Sequence, residues 1–552
     1  MSSFSITQPC YKYGENLAIE YKWGYDFHEN IIYFYYQLTR CKDLFSLEMK
    51  LNTLLSYTIL YKNKPYLEEL IILYKLIGHT RDIYHGRGEY TLAYMQIWVW
   101  YQYFPELALF ALRQFVQGQK YGSWKDIKYF CEYVFQKTNN ENHPCIEYAC
   151  SLMDMQLRAD WEHFKRGEKI SYAAKWCPRE KSKYDWIHKK LAFRLFNQFF
   201  KTTKSYASAK KAECKAKIHL RKIVSSMNKH LQTPQIHMCS NQWAQIDFKS
   251  VSLNTLYKNR AAFQNNNKSI RSKTDDRYIC AGKFKDYMST LHITKPGQLG
   301  KLVKSAFQIN SIEDSQILNT LWGSSQTTLK NIISIIDVSS SLEKDNLQPL
   351  YNAIGLGVRA AEMTQGAFHN CVLIFSATPT WFHFTSEDTF VDKITQIKNS
   401  LWGMNSNLES ALKLLIDAIT ISKAPASTVS TITLCIFSDM QIDPFTVSKF
   451  PTTKNSPKTL YKNIKRIFKK SGFPMPNIKF WNVRHTDGFP VLGRYKSDTL
   501  LSGSNEPLLK ILSKKPKKCL KPDIIPALSP LYAILNKSRY KILENKIISK
   551  IK

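Results

Sequence analysis

Paired cysteines, long unbroken apolar runs and acidic residues are all scarce in this sequence. The 12 cysteines stand singly, with no CxxC pair, which argues against a disulfide-stapled module or a zinc ribbon and leaves reduced, structural thiols as the expectation. His143 with Cys145 and Cys150, and His237 with Cys239, come nearest to metal spacing, and neither set supplies four convergent ligands. The most apolar window, Leu92 to Leu112, is interrupted by Gln96, Gln102, Pro105 and Glu106. With no apolar segment and cleavage site at the start either, we expect a cytoplasmic protein with no membrane partner.

The shortage of acid is the strongest compositional signal. Asp and Glu number 44 against 78 Lys and Arg, a formal net charge of +34. The excess is concentrated: residues 201–273 hold 15 Lys or Arg against 2 acids, and residues 510–552 hold 12 against 2. An AT-rich genome enriches Lys, Asn and Ile by itself, but clustered cations are what phosphate neutralisation requires, so nucleic acid, ahead of another anionic surface, is the default partner. The run "SKKPKK" at 513–518 has the composition of a nuclear-localisation patch.

At 552 residues with 44% apolar content the chain is too long for one core. Up to about residue 324 it reads as helical, in stretches such as "YLEELIILYKLI", "EYTLAYMQIWVWYQYF" and "DIKYFCEYVFQ", the pattern of successive helical hairpins in a HEAT-like array. From 325 to 552 apolar strand candidates ("NIISIID", "NCVLIFS", "TWFHF", "TITLCIFSD", "NIKFWNV") alternate with helical segments. The predicted class is therefore α followed by α/β: an N-terminal helical-repeat region, then a doubly wound, mostly parallel sheet that ends in a basic segment. Ligands of such a sheet bind beyond the carboxyl ends of its strands.

The first strand candidate stops there, at Asp337, and Ser339 and Ser341 follow at alternate positions. A carboxylate with two hydroxyls offers hard oxygen ligands to a Mg²⁺-like ion that keeps some of its waters. Ser406, before a helix, and Asp439, at the end of "TITLCIFSD", are the remaining candidate ligands. This combination resembles the metal-ion-dependent adhesion site of von Willebrand factor type A domains, although Ser406 and Asn407 stand where that family often has Thr and Asp. The stretches "RDIYHGRGEY", "YGSWKDI", "AAKWCPREKS", "LRKIVSSMNKHLQTPQ" and "WAQIDFKSV" resemble, in order, the helical part of an uncharacterised family of plants, amoebae and large DNA viruses. That family is similar in turn to the TROVE, or Ro autoantigen, group, in which a helical ring is joined to an adhesion-type domain. The resemblance implies binding of single-stranded or structured RNA in a ribonucleoprotein and a Mg²⁺ or other divalent ion that a partner protein's carboxylate can complete; packaging in a virion, with the charge neutralising genome, belongs to the alternative reading.

The RNA candidates are Arg87, Lys125, Lys175, Arg179, Lys181, Arg221, Lys229 and His230, because cations amid Trp and Tyr suit phosphates and unpaired bases together. The competing reading makes Trp124 and Trp176 packing residues and the charges a solvated face. Catalytic motifs fit poorly. Ser341 to Lys344 matches SxxK without a Lys-Thr-Gly partner, and Gly355-x-Gly357-x-x-Ala360 falls within a helix, where it suits close packing. A phosphatase nucleophile at Asp337 would want a second carboxylate where Ser339 stands. The expectation is a binding protein without catalytic activity; the alternative is an interaction or virion protein with no specific RNA.

Overall fold

The computed structural model describes residues 10–41, 43–60, 66–201, 203, 205–266, 273–293, 298–309, 311–343, 345–400, 407–445, 459–492, 499–513 and 528–551. They divide into two compact units. A sheet unit comprises Met1–Thr80, Tyr84–Leu92 and His292–Lys552, and a helical unit comprises Arg81–Ile83 and Ala93–Leu291. The change of rhythm at residue 325 thus marks where the strands of the sheet begin, while the compact unit that holds them also draws on residues 1–80, 84–92 and 292–324. No helix among the described residues is long and apolar enough to cross a membrane.

The sheet unit's strands are, in chain order, β1 (Tyr11–Tyr13), β2 (Ile19–Tyr21), β3 (Leu329–Lys330), β4 (Ile332–Asp337), β5 (Thr364–Gln365), β6 (Cys371–Phe375), β7 (Thr380–His383), β8 (Thr433–Ser438), β9 (Asn477–Asn482) and β10 (Thr499–Ser502). Six form the main sheet in the order β10-β9-β8-β4-β6-β7, parallel throughout except for β7, which runs antiparallel along β6. Every residue of β4 is buried, as a central strand covered on both faces requires, and this is why "IISII" shows no alternation of polar and apolar residues. The Gln348–Met363 helix packs on β4, β6 and β8, and the Leu408–Ile421 helix packs on β6. Gly357 lets the first of these lie close to the strand, since a Cβ there would collide with Ile336; the GxGxxA match is a packing feature. β1 and β2 make an antiparallel hairpin joined to the unit through a bridge from Tyr21 to Phe489.

From β4 the chain moves to β6 on one side, and it later returns to β8 on the other. The order therefore reverses between β4 and β8. A crevice opens at such a reversal, beyond the carboxyl ends of the two strands, where Asp337 and Asp439 stand.

In the helical unit, the longer helices pack in chain order: Lys125–Thr138 on Pro144–Lys165, Pro144–Lys165 on Asp185–Leu195, and Asp185–Leu195 on Tyr206–His230. Local sequence sets their ends. Ile127, Phe130, Cys131 and Val134 give the first a buried stripe, and Asn139, in the left-handed region at φ 49°, closes it with a bond from its N–H to the Phe135 carbonyl. Pro144 occupies the first turn of the next, where its missing N–H costs nothing. Ser205 and Ser208 make a reciprocal cap for the 25-residue Tyr206–His230 helix.

Candidate functional site

At the crevice of the sheet unit, strand ends place four of the five expected metal ligands in one hydrogen-bonded chain. The Ser339 N–H donates to Asp337 Oδ1 at 2.9 Å, the hydroxyls of Ser339 and Ser341 are 3.1 Å apart, and Ser341 Oγ donates to Asp439 Oδ1 at 3.2 Å. Ser406, the fifth, lies outside the described residues; Asn407, next to it, caps the Leu408–Ile421 helix by accepting from the Ser410 N–H. Asp337 and Asp439 are both fully buried. Burial, and after it the charge of Asp439, pushes the Asp337 carboxyl up to about 7, against the pull of its bonds from Ser438 and Ser339. Ser438 Oγ donates to Asp337 Oδ2 at 2.5 Å.

Sequence reasoning missed the cation at this site. Arg484, just past the end of β9, donates from Nε to Asp439 Oδ2 at 2.7 Å and from a terminal nitrogen to Glu15 at 3.0 Å. Oδ1 of Asp439 stays turned toward Ser341 and the Gln441 N–H. The turn of the β1–β2 hairpin lies beside these groups. The Glu15 N–H donates to Gln441 Oε1 at 2.5 Å, Asn16 Nδ2 reaches the Gln441 carbonyl at 2.6 Å, and Gln441 Nε2 donates to Glu20 at 2.9 Å. Burial, offset in part by Lys12, raises the Glu20 carboxyl to about 7, and its second oxygen has no hydrogen-bond partner among the described residues. Position after a strand end was the available signal for Arg484; nothing local could link Glu15 or Glu20 to residues more than 400 positions away.

The donor set suits a hard divalent cation. Two oxygens at adjacent corners of a Mg²⁺ octahedron are about 3 Å apart, the separation of the two serine hydroxyls. Once Asp337 is deprotonated, it and Asp439 carry two buried negative charges against the one arginine, which Asp439 shares with Glu15. The serine hydroxyls offer neutral oxygens beside the carboxylates; among the described residues no group of three or more His, Cys, Asp and Glu is placed to hold a metal ion.

The helical unit holds a contrasting constellation. The short Ala173–Trp176 helix, ended by the bond from the Cys177 N–H to the Ala173 carbonyl, presents Trp176 half-exposed. Three ammonium groups approach its ring: Lys128 at 5.3 Å from the centroid, and Lys125 and Lys175 at 5.8 Å each. Lys128 also lies 5.5 Å from the Tyr184 ring. No carboxylate among the described residues forms an ion pair with any of the three. Desolvation lowers all three ammonium pKa values, with a further push on Lys125 from Arg81 and on Lys128 from Arg179 and Lys125. Beneath them Arg81 and Asp126 form a buried bidentate pair at 2.7 and 2.8 Å, to which Tyr94 and the Ser123 N–H add bonds. That pair fixes the first turn of the Lys125–Thr138 helix.

The other RNA candidates fall into three groups. Arg179 and Lys181 are exposed near the cluster, and Lys181 is held by its backbone bond to Asp185. Arg221 is exposed and 3.5 Å from Glu180, while Lys229 and His230 end the Tyr206–His230 helix, His230 bonding the Glu168 carbonyl at 3.1 Å. Arg87 is a correction. It is buried in the sheet unit, stacks on Tyr35 and donates to the carbonyls of Leu38 and Tyr35 and to Ser502, so it is a structural clamp with no free surface. Lys128, one helical turn after Lys125, is the member that sequence reasoning passed over; Trp124 is core. Elsewhere in this unit a cavity of about 730 Å³ is lined by Lys190, Arg194, Phe193 and Phe200. Its cations are already paired, since both Lys190 and Arg194 bond Glu147.

Residues 331–519, which include Asp337, Ser339, Ser341 and Asp439, match the model of a domain of unknown function, DUF7788. Residues 149–273, which include Trp176 and six of the RNA candidates, match a second, DUF2828. An uncharacterized protein of Acanthamoeba polyphaga mimivirus is 26% identical over 497 residues, covering 86% of this chain and 81% of its own. The chain thus has a relative in a large DNA virus.

Proposed function

We propose that this chain is a non-enzymatic RNA-binding protein whose helical unit takes a single-stranded segment on the Trp176 cluster and whose sheet unit carries a divalent-cation site. One observation carries the first part: three desolvated lysines share one half-exposed indole without a carboxylate ion pair among the described residues. A purely structural cation would be paired, as Lys190 is. Ammonium groups flanking an aromatic face match a phosphate chain with an unpaired base stacked between, and stacking contributes about 1–3 kcal/mol per base. The resemblance to the Ro group points the same way.

In the sheet unit, Asp337, Ser339, Ser341 and Asp439, together with Ser406, would hold a Mg²⁺-like ion as in an adhesion-type domain. The bound ion would supply an open coordination position for a partner's carboxylate. The protein's own part is to bury Asp337, to orient it through Ser438 and the Ser339 N–H, and to balance Asp439 with Arg484. Cytoplasmic location and packaging in a virion are both compatible with this reading.

Ultraviolet crosslinking to an unstructured oligoribonucleotide, with Trp176→Ala as control, tests the RNA arm; equal crosslinking in both proteins refutes it. Calorimetric titration with Mg²⁺ tests the cation arm. Heat of binding present in the native protein and absent in Asp337→Asn supports the site, and identical titrations refute it.

A further inference from the structure

The Leu460–Lys470 helix of the sheet unit, "LYKNIKRIFKK", has no acidic residue. Its cations fall at 462, 465, 466, 469 and 470, spacings of three and four that align them along one face. The opposite face is occupied: Asn463, Ile464 and Phe468 are buried, and the helix packs on Leu408–Ile421. Lys465, Lys469 and Lys470 are exposed and Arg466 half-exposed, and none of the four forms an ion pair within 4 Å among the described residues. Like charges three and four residues apart destabilise a helix. The helix dipole favours Lys469 and Lys470 in the last turn, but it gives no reason for Lys465 and Arg466 further back. The stripe therefore opposes folding, and its use lies in what it contacts.

We propose that this helix is a second nucleic-acid contact, separate from the Trp176 cluster, that binds the phosphate backbone of an RNA strand without reading its bases. Charge complementarity identifies the occupant. The stripe offers cations and no carboxamide side chain on its exposed face, and the half-exposed Tyr461 lies beside rather than among those cations, so the face suits phosphates and carries no base specificity. A bilayer is the poorer match, because an interfacial helix binds by sinking its apolar face into lipid, and here that face is buried in the protein. A rise of about 1.5 Å per residue spreads Lys465 to Lys470 over roughly 7 Å, enough to span neighbouring phosphates.

The test is equilibrium binding of an unstructured oligoribonucleotide to the full chain across a range of salt, comparing the native protein with Lys465→Gln/Arg466→Gln/Lys469→Gln. Each phosphate contact to a single strand contributes about 0.7 to the slope of log affinity against log salt. The slope should fall by about 2 in the triple variant and by about 0.7 in Lys465→Gln alone, with affinity in low salt falling tenfold or more. The melting temperature should hold or rise, because repulsion has been removed. An unchanged slope overturns the proposal, as does binding of phosphatidylserine vesicles that the triple variant loses while its RNA slope stays native. Trp176→Ala is measured alongside: weaker binding there with a native slope in the stripe variant would sink the stripe and leave the Trp176 reading intact.

Discussion

The strand-end site and the Trp176 cluster handle charge in opposite ways. In the sheet unit each carboxylate oxygen of Asp337 and Asp439 accepts a hydrogen bond, and an arginine is recruited to help. In the helical unit the acid, Asp126, is spent on Arg81 below the surface, and the lysines above it have the Trp176 ring but no carboxylate ion pair among the described residues. The proposed ion site would thus be satisfied from within and tuned by burial, whereas the proposed polyanion surface would keep its cations free of internal carboxylates, since pairing them internally would remove the reason for binding.

The sharpest way to break this contrast is to remove the buried acid under the cluster. Asp126→Ala takes the bidentate carboxylate from the buried Arg81 guanidinium and should cost about 3–5 kcal/mol of unfolding free energy in urea, whereas Lys125→Gln next to it should stay within about 0.5 kcal/mol. Similar losses in both would mean that the lysines, too, are structural.

In the sheet unit the corresponding test is pH. The Glu20 carboxyl sits at about 7 in the fold, raised from 4.5. Between those values the folded protein keeps a proton that the unfolded chain has released, so the contribution to stability falls as pH rises from about 4.5 to 7. Asp337, at about 7, acts in the same direction. Glu20→Gln should therefore be more stable than the native protein at pH 8, by about 1–3 kcal/mol, and equal near pH 4. A native denaturation midpoint that is flat across this range would show that Glu20 is not held in its protonated form.

Smaller effects sharpen the RNA side. Trp176→Ala should weaken oligoribonucleotide binding by about 1–3 kcal/mol with little change in salt slope, because stacking releases no counterions. Lys128→Gln should do the reverse, lowering the slope by about 0.7 with a modest loss of affinity. Fluorescence anisotropy over a salt series separates the two, and coincident curves for both variants would refute the division of labour.

How far the sequence could be read depended on how locally each residue is placed. Asp337 and Asp439 were legible because an apolar strand that stops at a carboxylate leaves that group at the sheet's carboxyl edge, whatever the rest of the chain does. Arg484 occupies the equivalent position after β9 and went unread because "NVRH" carries no hydroxyl or acid to draw notice. Glu15 and Glu20 reach the site through a hairpin some 420 residues away in sequence, a relation fixed by tertiary packing alone. Arg87 was misread for the complementary reason: an arginine among tyrosines looks the same in sequence whether its guanidinium meets solvent or, as here, backbone carbonyls. Lys125 and Lys175 were legible as cations near tryptophan, yet which indole gathers them, and that Lys128 joins them, depends on how the Ala173–Trp176 helix sits near the first turn of Lys125–Thr138.

The most direct test of the central claim is the affinity of the full chain for an unstructured oligoribonucleotide, measured for the native protein and Trp176→Ala at several salt concentrations. The account predicts measurable native binding, weakened five-fold or more in the variant at every salt concentration, with parallel slopes. Absence of native binding, or indistinguishable curves for the two proteins, would contradict it.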